Sequence, residues 1–267
     1  MLIAIRHRTD YHYERAFNHA VQSLRLTPPS GSTQHIVEWQ IDMPGIDTAS
    51  SYQDAWGNLV HLVTPQGDVS NLSILVHGVI DTHDTGGVIG MTHEAALPPI
   101  FLRETPTTKP SIDIIDFARS SARKTRLETL HALLSGIQGY VAYDTDATHV
   151  LTTASEAFEA RRGVCQDHAH IFIAAARVLG IPARYVTGYL LVESDEPAVA
   201  HHAWAEAFTD DLGWIGFDAA NGICPTPNYV RLAVGLDAPA AAPVRGIMRG
   251  SGTEKLSVEV VGRSAQQ

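Results

Sequence analysis

Two cysteines, Cys165 and Cys224, are all the thiols in 267 residues. Two cannot staple a chain of this size, so a disulfide framework is excluded and the fold must stand on its apolar core. Thiols this sparse fit a reducing compartment better than secretion. Basic residues are also short, with 19 Lys and Arg against 29 Asp and Glu, a net charge of −10. That balance argues against nucleic acid or an anionic membrane surface as a partner. No window approaches the ~18 uninterrupted apolar residues of a membrane span. The opening Met1-Leu-Ile-Ala-Ile-Arg-His-Arg8 lacks both the positive segment and the long apolar stretch of a secretory signal, so a cytoplasmic location is expected. Against these absences stands an ordinary globular composition, 45% hydrophobic and 18% charged. It excludes wholesale disorder and leaves room for one large domain or two moderate ones.

The first hundred residues read as strands. Val37, Trp39, Ile41 and Met43 alternate with Glu38, Gln40 and Asp42, the period of a half-buried strand. Turn signals at Asp54-Ala-Trp-Gly57-Asn58 and Pro65-Gln-Gly67-Asp68 separate the apolar runs 59–63 and 72–80. Short Gly, Asn and Asp turns between such runs predict an antiparallel β domain. Residues 81–110, rich in Gly and Pro, read as a linker. The expected division is 1–105, a β-rich domain with linker, and 106–267, a second domain ending in a strand at 256–261.

Helical character begins after Pro110. Leu127, Leu130, Leu134 and Ile137 define one apolar face, and Thr153-Ala-Ser-Glu156 is a capping box. From about Cys165 to Leu179 the pattern is apolar nearly all round, as in a buried central helix, and Gly180 and Pro182 end it. Strands return at 185–192, 203–208 and 214–218. Helices followed by strands, without βαβ alternation, indicate an α+β fold.

Three features carry chemistry. Cys165 opens the buried helix, where unpaired amides favour an anion and could donate to an oxyanion. Alone, it is equally a small buried residue. His201-His202-Ala-Trp204-Ala-Glu206 enters a strand, on which only one of the two histidines can face the helix terminus. Gly213-Trp-Ile-Gly-Phe-Asp218 is an apolar strand closing on one carboxylate, which either initiates a turn or orients an imidazole. Together Cys165, His202 and Asp218 supply a nucleophile, a base and an orienter.

At this combination the chain resembles the bacterial transglutaminase-like superfamily. Gly163-Val-Cys-Gln-Asp-His-Ala-His170 and Leu179-Gly-Ile-Pro-Ala-Arg184-Tyr-Val-Thr-Gly-Tyr189 are similar to its nucleophile helix and the strand that follows. His202-Ala-Trp-Ala-Glu206 and Gly213-Trp-Ile-Gly-Phe-Asp218 are similar to its histidine and aspartate strands. Arg6-His-Arg-Thr-Asp-Tyr-His-Tyr13 and Asp54-Ala-Trp-Gly-Asn58 resemble the β domain that precedes this core in many bacterial members. The resemblance implies a papain-like core, a helix packed on an antiparallel sheet. It implies Cys165 as nucleophile, His202 as general base and acid, Asp218 as orienter, and an acyl-enzyme route needing neither metal nor cofactor. Two positions depart from the pattern: His168 where an aromatic is common, and Ala219 where Pro is usual.

The reading that results is thiol-dependent acyl transfer on amide bonds of a peptide or protein, by hydrolysis or by transfer to an amine. A non-catalytic interaction scaffold is one rival. A metal site on Cys165, Asp167, His168 and His170 is the other, although the paired spacings of zinc ligands are missing. Between Tyr185 and Val230 there is no Lys or Arg, but Glu193, Asp195, Glu196, Glu206, Asp210, Asp211 and Asp218 all occur. Such a segment could attract a cationic amine, or be no more than solvated acidic loops. Trp204 and Trp214 are expected to pack the sheet, Gln166 to shape an oxyanion site through its backbone, and Arg184 to pair with Glu206. Nothing in the sequence bears on the oligomeric state.

Overall fold

A computed structural model describes the chain apart from residues 18–19, 66–68, 93–95, 193–197, 249–253 and 265–267. Seven strands come first: β1 (Leu2–Phe17), β2 (Ala20–Leu24), β3 (Gln34–Asp42), β4 (Ser50–Gln53), β5 (Leu59–Val63), β6 (Val69–Thr82) and β7 (Val88–Gly90). The helical half holds α1 (Ile112–Ser121), α2 (Arg126–Tyr140), β8 (Ala142–Tyr143), α3 (Ala154–Ala160), β9 (Arg162–Gly163) and α4 (Cys165–Val178). Last come β10 (Ala183–Val192), β11 (Ala198–Thr209), β12 (Gly213–Phe217), β13 (Tyr229–Gly235), β14 (Val244–Met248) and β15 (Glu254–Ser264). The class is α+β.

Alternation builds the N-terminal region. Two antiparallel sheets, ordered β15-β1-β6-β3 and β14-β2-β5-β4, contribute apolar residues to one core that includes Ile3, Ile5, Leu24, Val63, Leu72, Ile74, Val76 and Ile80. Every second residue of β6 from Leu72 to Thr82 is buried, as the period of a strand requires. The expected alternation in β3 is broken at one place. A bulge between Ile36 and Glu38 shifts the register against β6, so Val37 is 58% exposed while Trp39 and Ile41 keep their contact with the core. An extra residue in one strand sends the neighbouring side chain to the other face.

Local signals set the helices. Ser111 caps α1 by accepting from Ile114 N, and Thr125 with Glu128 and Thr153 with Glu156 form reciprocal boxes at the starts of α2 and α3. Helix α4 is buried on all sides. Ile171, Phe172, Ile173 and Ala174–Ala176 are all within 1% of full burial. It packs against α1, α2 and α3 and against β11, where Ala203, Ala205 and Ala207 are small enough to let a helix approach closely. Phe172 stacks on Phe217 of β12 at 5.1 Å. Among the described residues no helix is long and apolar enough to cross a membrane.

Behind α4 lies an antiparallel sheet ordered β13-β10-β11-β12-β7. Tyr189 and Leu191 of β10 and Val230 and Leu232 of β13 join the N-terminal core, so this sheet is covered by both halves of the chain. Strand pairing crosses the expected division at residue 105. From before it, β7 closes the sheet beside β12; from after it, β14 pairs with β2 and β15 with β1. The Gly- and Pro-rich stretch is packed as well. Phe101 is fully buried, and its carbonyl accepts from Arg177 of α4 at 2.8 Å. The same guanidinium donates to Thr108 Oγ1 at 2.7 Å, Ala183 O at 2.9 Å and Leu236 O at 2.7 Å, joining four segments.

Candidate active site

Three elements bring the predicted residues together. Cys165 is the first residue of α4, His202 lies on β11, and Asp218 directly follows β12. The last rung of the β11–β12 ladder near the site is Ala205↔Phe217. His202 therefore lies three residues beyond it, where β11 is open on that side. His202 Nε2 donates to Asp218 Oδ2 at 2.7 Å. Cys165 is close enough to His202 to favour the charged form of its ring.

Asp218 is fully buried but well supplied with donors. Its Oδ2 also accepts from Asn221 Nδ2 and from the Tyr229 hydroxyl, each at 2.7 Å. Oδ1 accepts from the backbone amides of Ala220 at 3.0 Å and Asn221 at 3.2 Å. The residue thus both starts a turn and orients an imidazole. Burial opposes its charge, yet His202, Tyr229 and Asn221 together hold the carboxyl below the usual carboxylate range. Burial likewise opposes an imidazolium at His202. The hydrogen bonds and charges of Asp218 and Cys165 outweigh it and push the ring up to about 9. Burial, then the charge of Asp218, pushes the Tyr229 phenol upward, so it stays a donor.

Around these three residues the local sequence has clear roles. Gly188 pairs with His202 across the strands, and a Cβ there would stand 2.1 Å from Val230 O and 2.7 Å from the Trp204 ring. Without one, Trp204 lies over the strand and stacks beside His202, with centroids 6.3 Å apart and planes at 27°. Trp204 and Trp214 are each 2% exposed, as packing residues are. Asp167, in the first turn of α4, accepts from Val164 N at 2.8 Å and from Thr148 Oγ1 at 2.6 Å. A side chain at Gly163 would meet that carboxylate at 2.7 Å. In the first turn the amides of Asp167 and His168 already donate to Val164 O, at 3.0 and 3.1 Å, while that of Gln166 has no carbonyl four residues behind it within the helix.

The remaining ligand-type side chains face elsewhere. His168 is buried, with Nδ1 2.9 Å from Val164 O and Nε2 3.1 Å from Val141 O, and so ties the helix start to the segment before it. His170 Nε2 accepts from Ala238 N at 3.1 Å. His201 pairs with Thr187 Oγ1 at 3.0 Å and lies near His7 and Tyr189, on the side of its strand opposite His202. Among the described residues no three His, Cys, Asp or Glu side chains converge as metal ligands would. The acidic segment also disperses. Glu206 is buried between Arg184 and Arg231, each at 2.7 Å, and Asp210 pairs with Arg126 at 2.8 Å. Glu193, Asp195 and Glu196 lie outside the described residues.

Sequence reasoning missed Tyr229 and the side chain of Asn221 as partners of Asp218. Asn221 could have been suspected from its place in the turn. Nothing local marks Tyr229, which reaches the carboxylate because β13 pairs with β10. Tyr143, 55% exposed on β8, is also beside the site. Burial and then the charges of Cys165 and Asp218 push its phenol upward.

A thiol at a helix start, an imidazole and a buried carboxylate thus meet at the edge of an antiparallel sheet. Comparison with known proteins names the family. Residues 115–219 match the transglutaminase-like superfamily core, and residues 3–81 match the bacterial transglutaminase-like N-terminal region. The chain therefore carries a transglutaminase-like core preceded by that N-terminal region. An uncharacterized protein of Mycobacterium leprae is 27% identical over 95% of both chains. Another, from Mycobacterium tuberculosis, is 28% identical over 91% of this chain and 86% of its own. A solved candidate cysteine protease from Cytophaga hutchinsonii shares the fold, with a TM-score of 0.74 at 23% identity, over 100% of this chain and 92% of its own.

Proposed function

We propose that the chain is a thiol-dependent amidohydrolase acting on peptide or isopeptide bonds, with Cys165 as nucleophile, His202 as acid and base, and Asp218 as orienter. One observation carries the reading: a single imidazole is hydrogen-bonded to a buried carboxylate at Nε2 and stands near enough to a thiol at a helix start for that thiol to favour its charged form. A ring held up to about 9 is an imidazolium at neutral pH, and beside the sulfur it can hold a thiolate.

The steps balance. Cys165 Sγ attacks the amide carbon, a C–S bond forms, and the carbonyl electron pair moves onto oxygen, where the backbone amide of Gln166 at the start of α4 could donate to it. As that pair returns, the C–N bond breaks, and His202 gives its proton to the departing amine. Water then attacks the thioester while His202 takes its proton, releasing the acid and restoring the thiol. No step calls for a metal or cofactor. Amine transfer would need a second nucleophile in place of water, and of the acids that might have drawn one, Glu206 and Asp210 are paired with arginines and Asp218 with His202. Net charge disfavours nucleic acid and anionic membranes as partners, and two free thiols suit a reducing, cytoplasmic setting.

The test is iodoacetamide labelling at pH 6–7 followed by intact-mass trapping with a peptide library. Cys165 should label much faster than Cys224, whose thiol burial pushes upward, and a library peptide should leave an acyl adduct on Cys165. Cys165→Ala should abolish the adduct and turnover. Equal slow labelling of both thiols would instead support a non-catalytic scaffold.

A further inference from the structure

At Gln166, the residue that follows Cys165 on α4, a cleft opens that the proposed chemistry does not use. Its volume is about 320 Å³, and its lining contains no Asp, Glu, Lys or Arg. Val150 and Leu151 line it from one segment and Ala238, Pro239 and Ala241–Pro243 from another, with Tyr185, Thr187 and His201 of the sheet between them. Gln166 also lines it, one residue from Cys165, and Tyr185 is close enough to feel the charge of Cys165.

Both segments are fastened to α4, the helix that begins with the nucleophile. On one side Gln166 Nε2 donates to Val150 O at 3.1 Å, and Asp167 holds Thr148 at 2.6 Å. Within that loop, Leu151 N donates to His149 Nδ1 at 3.2 Å and His149 N to Thr152 Oγ1 at 3.0 Å. On the other side, His170 holds Ala238 N, while Asp237 accepts from Ala240 N at 2.9 Å and Thr107 Oγ1 at 3.0 Å. Yet Val150 is 75% and Leu151 69% exposed. Two adjacent apolar side chains pinned in water by a hydrogen-bonded loop, over an uncharged cleft that Gln166 also lines, form a surface made to be covered.

We propose that this cleft seats an apolar side chain of the peptide substrate, within two residues of the attacked amide. The inference rests on the thiol-amidohydrolase reading and adds to it the class of substrate: sequences with Leu, Val, Met or Phe near the cut, not acidic or basic ones. The presence of Gln166, next to Cys165 in the chain, in its lining argues for a substrate as the occupant. The lack of charge in the lining argues for its apolar part, since an ion seated there would lose its water without gaining a partner.

The experiment measures how peptides protect Cys165 from iodoacetamide, read by mass spectrometry. Two pools of blocked hexapeptides are compared, one with Leu, Val and Phe around a central Gln and one with Asp, Glu and Lys. The apolar pool should half-protect at a concentration about tenfold lower or better, the scale of discrimination by an apolar pocket. Leu151→Asp, at an exposed site, should raise that concentration about tenfold relative to the same variant's peptide-free rate, and Leu151→Met should restore it. Equal protection by the two pools, protection by neither, or no response to Leu151→Asp would overturn the subsite. If Cys165 labels no faster than Cys224 without peptide, the thiol reading falls and the subsite with it. Fast labelling with equal protection removes the subsite alone.

Discussion

Glu206 and Asp218 sit on neighbouring strands of one sheet and are both fully buried, yet they are neutralised in different ways. Glu206 is closed in by two permanent cations. Arg184 and Arg231 each donate at 2.7 Å, and Arg184 in turn stacks on Trp214 at 3.8 Å. Burial would raise its pKa, but the charges of Arg231 and Arg184 hold the carboxyl below the usual range. Asp218 has no Arg or Lys among its hydrogen-bond partners. Its donors are a phenol, an amide side chain, backbone amides and one ring that can lose its proton. The first cluster is locked in a single charge state at working pH. In the second, one partner titrates, and a proton that can move is what chemistry requires. Equal burial therefore does not mean equal role; the partner's ability to titrate separates a brace from an orienter.

Exchanging the two carboxylates for their amides should break the comparison cleanly. Asp218→Asn should lower turnover by about 10³–10⁴-fold, because the imidazole loses its orientation and its charge partner. The fold should survive, as circular dichroism would record. Glu206→Gln leaves two buried guanidiniums facing one neutral amide, and should lower unfolding stability by about 3–5 kcal/mol in urea titration. Tyr229→Phe removes one of the donors to Asp218 and should lower kcat/KM by about tenfold, with little loss of structure.

The pH dependence sharpens the contrast further. His202 is raised from 6.5 to about 9 on folding, so its contribution to stability is complete below about 6.5 and is lost as pH rises through about 9. Urea midpoints measured between pH 6 and 10 should fall across that window, and kcat/KM should decline on the same alkaline limb. Asp218→Asn should move the limb to lower pH. Glu206→Gln should leave it where it is.

Much of this was legible because the signals are local. The cap at Thr153 is read within four residues. The all-round apolar pattern of α4 predicts its burial, and the strand period separates His202 from His201. What escaped depends on partners distant in sequence. The bulge at Val37 exists only against β6, so alternation alone assigns that residue inward. Tyr229 meets Asp218 because β13 returns to the sheet. The acidic segment looked like a patch because Arg184 and Arg231 flank it just outside its ends, while Arg126 comes from a separate helix. Strands β7, β14 and β15 are short-range patterns whose pairing crosses the expected domain boundary, which composition does not reveal.

Arg177 has a consequence for how the molecule assembles. Its guanidinium joins carbonyls and a hydroxyl 76, 69, 59 and 6 residues away along the chain. Links of such span form only after long loops have closed, a slow event in the order of folding. The helix end that bears Arg177 and the helix start that bears Cys165 belong to one rigid rod, so the rod is fixed in place only when those distant segments arrive. The reactivity of a single sulfur would then report completed folding: during refolding, fast alkylation of Cys165 should appear in the last kinetic phase, after helical signal has returned.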